Sequence, residues 1–98
     1  MDCATALQIL RAHESDLRSR GVRHAGLFGS TARGEAGPDS DVDLLIEIDE
    51  DRVRDVYAYV AVVQFIEGLY PRRVDVANRA ALKAEVRPHA LRDVIDAF

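Results

Sequence analysis

The sequence predicts an α+β domain: a small mixed β-sheet of three or more strands flanked by helices. Three observations carry this. Residues 41–49, DVDLLIEID, set Val42, Leu44, Ile46 and Ile48 against Asp41, Asp43, Leu45 and Glu47, the alternation of a strand with one face in a core. Residues 3–20 place Leu7, Leu10 and Leu17 at helical spacing with polar residues between them. The segments follow the order helix, strand, turn, strand, helix, strand, helix, with no repeat, low-complexity tract or linker.

Taken in order, the first helix runs from Cys3 to about Arg20, and Gly21 is its stop. VRHAGLF, 22–28, is short and mostly apolar and ends at Gly29, so it is a strand that delivers the chain to a turn. TARGEA forms a single helical turn with Ser30 or Thr31 as N-cap, broken by Gly37 and Pro38. The alternating strand follows. Residues 51–69 are rich in β-branched side chains, yet the run is too long for one strand without a turn residue, so it is read as a helix capped by Asp51. Its apolar surface is wider than one sheet-facing stripe needs, which predicts that part of it buries against a partner. Pro71 ends that helix, and RRVDVAN supplies a third strand with Val74 and Val76 on one face and Asp75 on the other. Residues 80–98 read as two short helices separated near Pro88, with Leu91, Val94, Ile95 and Phe98 at helical spacing.

Composition narrows the function. A chain of 98 residues is expected to be one domain, 1–98, with no second lobe, so a site on it needs another chain or the substrate as its far wall. Apolar residues at 48% and charged residues at 31% are the balance of a chain that folds. A net charge of −4 without any Lys/Arg block disfavours direct nucleic-acid binding. Cys3 is the single cysteine, which excludes an intramolecular disulfide and a cysteine-based zinc site. The N-terminus lacks the layout of a signal peptide, and the longest apolar run, 56–63, falls short of the roughly 18 residues of a membrane span. A cytoplasmic protein that does not enter a membrane is expected.

The acidic strands carry the chemistry. Residues two apart on a strand project from one side, so Asp41 and Asp43 are neighbours, and like charges that close need a cation between them. Mg²⁺ suits the position, because it is commonly held by one or two carboxylates and completes its shell with water and substrate phosphates. Asp75, on a neighbouring strand, would be a third carboxylate, and three such groups can hold two metals that clamp the attacking and leaving oxygens of a phosphoryl or nucleotidyl displacement. Gly29 and Ser30 offer backbone N–H groups and a hydroxyl to phosphate oxygens, and Arg33, one turn on, adds a fixed positive charge. Each piece alone has an ordinary structural explanation as a turn, a solvated face or a surface arginine. Their conjunction, in this order within fifty residues, does not.

Gly29-Ser30, ten intervening residues, then Asp41-Val42-Asp43 resembles the G-S-x10-D-x-D signature of the nucleotidyltransferase superfamily related to DNA polymerase β. The A-R-G after the Gly-Ser, the S-D-V-D-L wording and the short length resemble its minimal nucleotidyltransferase branch; the likeness is firm over residues 22–78 and looser in the flanking helices. The resemblance implies a polymerase β palm-like fold in which Gly29 and Ser30 hold nucleotide phosphates, Asp41 and Asp43 ligate two Mg²⁺ ions, and Asp75 binds the catalytic metal and helps deprotonate the attacking hydroxyl. It also implies a partner. Minimal nucleotidyltransferases are commonly paired with a HEPN-domain ribonuclease in toxin–antitoxin modules, and some neutralise the toxin by transferring AMP from ATP to one of its tyrosines. The alternatives are an antitoxin that acts by binding alone and a nucleotidyltransferase with a small-molecule acceptor.

Overall fold

The computed structural model describes residues 1–35, 37, 40–82 and 87–98. The expected break at Pro38 lies outside them.

Asp2 caps the first helix, α1 (Cys3–Ala12), by accepting from the Thr5 amide at 2.8 Å, and Ala6, Leu7 and Leu10 form its buried stripe. The single helix expected over 3–20 is instead two. His13 Nδ1 donates to the Ile9 carbonyl at 2.8 Å, occupying the acceptor that its own amide would use in a continuous helix; that amide turns to Leu10 O at 3.2 Å. The chain restarts as α2 (Glu14–Ser19), which buries Leu17. Gly21 then stops the helix as expected. Its φ of +100° suits glycine, and a Cβ there would stand 2.6 Å from Val53.

Four strands follow in the sheet order β3-β2-β1-β4. β1 (Val22–Leu27) leads through the single turn α3 (Gly29–Ala32) to β2 (Val42–Ile48), its antiparallel neighbour. The helix α4 (Val56–Glu67) then crosses over to β3 (Val74–Asn78), which pairs with β2 in parallel. A 3₁₀ turn (Arg79–Ala81), α5 (Arg87–Arg92) and the two-residue β4 (Ile95–Asp96), antiparallel to β1, complete the described chain. The sheet is therefore mixed, as expected. Its core face carries Val22, Ala25, Leu27, Val42, Leu44, Ile46 and Val74, packed against Leu7, Leu10 and Leu17 and against Val62 and Ile66 of α4. Tyr70 closes the core and donates its hydroxyl to Ala6 O at 2.8 Å. Burial pushes that phenol well above its ordinary pKa.

Two further elements differ from the sequence reading. α4 starts at Val56 and is capped by Asp55, which accepts from the Ala58 amide at 2.8 Å. Asp51 belongs to a preceding turn held by Asp49, and the buried Val53 explains why: the chain must drop that side chain into the core before the helix begins. In the tail, residues 83–86, where the two expected helices would part, lie outside the described residues, and Pro88 itself is helical. It sits in the first turn of α5, where its missing N–H costs nothing. Ile95 is not helical either; it pairs with Leu27, and Gly26 makes room, since a Cβ there would meet Ile95 O at 2.6 Å. No helix among the described residues is long and apolar enough to cross a membrane.

Candidate active site

The polar groups gather where β2 and β3 begin. The expected N-cap at Ser30 or Thr31 is not found: Phe28 occupies that position, and both hydroxyls turn to Asp43 instead. Ser30 Oγ donates to Asp43 Oδ2 at 3.3 Å, and Thr31 Oγ1 accepts from the Asp43 amide at 3.0 Å. Gly29 is required twice over. Its φ is +59°, and a Cβ would lie 3.1 Å from Asp43 Oδ2.

Parallel pairing sets Asp43 directly opposite Asp75, on neighbouring strands about 4.8 Å apart. Because Leu44 and Val74 enter the core, both aspartates project from the other face. Asp41 lies one residue before β2 and is exposed, as is Asp75, whereas Asp43 is half-buried. Asp43 accordingly has a raised pKa. Burial is the main cause, the Ser30 hydrogen bond opposes it, the charges of Asp75 and Asp41 add to it, and Arg33 offsets part of it.

Arg33 is therefore within electrostatic reach of the carboxylates, but it is not idle. Its Nε meets Glu35 Oε2 at 3.0 Å and its Nη1 meets Asp93 Oδ2 at 3.5 Å, contacts that raise its pKa further. A bound triphosphate would compete with two carboxylates for it. Among the described residues no three His, Cys, Asp or Glu side chains stand close enough to hold a metal ion. Asp41, Asp43 and Asp75 thus share one end of the sheet and one electrostatic field without forming a closed three-ligand cage. The donor set still suits a divalent ion of the Mg²⁺ kind. All three are hard oxygen ligands, and a cation beside them would offset both the burial of Asp43 and the neighbouring charges of Asp75 and Asp41.

Sequence reasoning had singled out Thr31 only as a cap and had not named Asp93. A β-branched hydroxyl one residue after Gly-Ser was the available signal for the first. Nothing in local sequence marks the second, which reaches Arg33 across sixty residues of chain.

A glycine turn grips a strand aspartate, with a second aspartate in register on a parallel neighbour. The chain belongs to the nucleotidyltransferase family, whose domain model matches residues 10–98. It is similar to the protein adenylyltransferase MntA of Thermococcus cleftensis, 40% identical over 88 residues that cover 89% of this chain and 87% of that one. A solved structure described as a minimal nucleotidyltransferase superposes with a TM-score of 0.77 at 36% identity, covering 97% of this chain and 95% of the other. The fold is shared with the toxin–antitoxin MntA–HpeT crystal structure at a TM-score of 0.66 and 13% identity, over 100% of this chain and 73% of that one.

Proposed function

We propose that residues 1–98 form a single cytoplasmic nucleotidyltransferase domain that transfers AMP from ATP to a hydroxyl, a tyrosine, of a cognate HEPN ribonuclease toxin, and so acts as its antitoxin. The observation that carries this reading is the register of Asp43 with Asp75 beside the Gly29–Ser30 turn. The similarity to an adenylyltransferase named for protein substrates supports the acceptor class.

In this mechanism Gly29 and Ser30 receive the triphosphate through backbone N–H groups and the Ser30 hydroxyl, and Arg33 exchanges a carboxylate partner for phosphate. Asp41, Asp43 and Asp75 would hold two Mg²⁺ ions, which supply charge stabilisation to the attacking and leaving oxygens when bound. Asp75, exposed on β3, would take the proton of the incoming hydroxyl. The tyrosyl oxygen forms a bond to the α-phosphorus, the bond to the β-phosphate oxygen breaks, and pyrophosphate leaves. Replacing Asp43 with Ala should abolish AMP addition to the toxin, read as its intact mass after incubation with ATP; undiminished addition would exclude the assigned site.

A binding-only antitoxin is favoured by a separate observation: Val56, Tyr57 and Val60 of α4 are 65%, 83% and 44% exposed. Exchanging Asp41 and Asp43 together for Ala separates the two readings. Cells stay protected from the toxin only if binding suffices.

A further inference from the structure

In an antiparallel pair, a residue's N–H and C=O point to the same neighbour. Asp43 O accepts from the Phe28 amide at 3.1 Å, so the Asp43 amide also points toward β1. There β1 has ended at Leu27, and the chain turns away at Gly29 with its φ of +59°. The carbonyl that would continue the ladder is replaced by Thr31 Oγ1, 3.0 Å from the amide. Thr31 is 1% exposed, a place where valine would fill the same shape without burying a hydroxyl. The turn therefore grips one residue three times: Phe28 on its carbonyl, Thr31 on its amide and Ser30 on its carboxylate. Ser30 faces the place assigned to nucleotide and would exchange its contact on binding. The Thr31 side chain is buried, and its contact, which does not face the nucleotide, persists.

We infer that Thr31 is a positioning residue whose buried hydroxyl locks the backbone of Asp43 to the Gly29–Ser30 turn, so that the phosphate-facing turn and the carboxylate strand move as one body. The inference rests on the nucleotidyltransfer reading for its catalytic consequence, though not for the contact itself.

Two measurements on wild type, Thr31→Val and Thr31→Ser test it. Steady-state AMP transfer should show kcat lowered about tenfold to a hundredfold in the valine variant with KM for ATP within about threefold, because turn and carboxylate fall out of alignment while phosphate contacts survive. Serine keeps the hydroxyl and should restore near wild-type kcat. Amide hydrogen exchange by NMR needs no activity: the Asp43 amide should exchange about a hundredfold faster in the valine variant and stay protected in the serine one. Unchanged Asp43 protection or wild-type kcat in Thr31→Val overturns the inference, as does equal impairment by Val and Ser. If the wild type transfers no AMP, the function proposed above fails, and the exchange rates alone decide whether the lock exists.

Discussion

The two ends of the parallel pair β2 and β3 are built on opposite terms. Where the strands begin, Asp41, Asp43 and Asp75 stand in one field, and Asp43 is held through its amide, its carbonyl and its carboxylate. Where they end, Ile48, Val53, Val56 and Tyr59 line an open groove of about 440 Å³ together with Asp55 and Asn78, and Val56 and Tyr57 project into solvent. Crowding like charges costs stability and is tolerated where a ligand compensates; exposing apolar side chains also costs stability and is tolerated where a partner covers them. On the function proposed above, one end would take a small charged substrate and the other a protein surface.

Damage at the first end should be severe. Gly29→Ala puts a Cβ 3.1 Å from Asp43 Oδ2 at a φ of +59°, and AMP transfer should fall by about a hundredfold or more with about 1–2 kcal/mol of lost stability, read by toxin intact mass and urea melts. A strand-end change should behave differently. Tyr57→Ser, at 83% exposure, should leave the melting of the isolated chain within about 0.5 kcal/mol while weakening association with the toxin about tenfold in calorimetry. A tenfold loss of affinity with normal melting would confirm the division of labour; an unaltered affinity would place the toxin elsewhere.

The smallest effect is the most diagnostic of charge. Folding raises the pKa of Asp43, so the native state binds its proton more tightly than the unfolded chain does. The associated stability is complete below the ordinary value of 3.8 and is lost as pH rises through the elevated folded value. At neutral pH without metal, Asp43→Asn should therefore melt a few degrees higher than wild type, and the gap should close in acid. Added Mg²⁺ should raise the melting temperature of wild type and not of the asparagine variant. A wild type that already melts as high as the variant without Mg²⁺ would mean that the strand-start charges are compensated within the chain.

How much of this was readable beforehand depends on the range of each interaction. The β2 strand was visible because alternation is local, and the Gly29–Ser30 turn because glycine before a strand-end hydroxyl is a short pattern. The split between α1 and α2 was not, since leucine spacing continues through His13, where the ring rather than the amide meets Ile9 O. Likewise Ile95 fits a helical period and a strand equally well in a segment this short; the groove beside Gly26 decides it. At the site, the carboxylates could be named from sequence, but the register of Asp75 with Asp43 depends on how α4 crosses over, and the Arg33–Asp93 contact depends on where the tail lands. Distant geometry leaves no local trace.

The aromatic inventory has a practical consequence. The sequence holds three tyrosines and no tryptophan, so emission excited beyond the phenylalanine absorption band belongs to Tyr57, Tyr59 and Tyr70 alone. Tyr70 is 6% exposed and Tyr57 83%, which makes one a shielded reference and the other a sentinel for iodide quenching. The chain thus carries its own optical gauge of whether the start of α4 is covered, with no label attached.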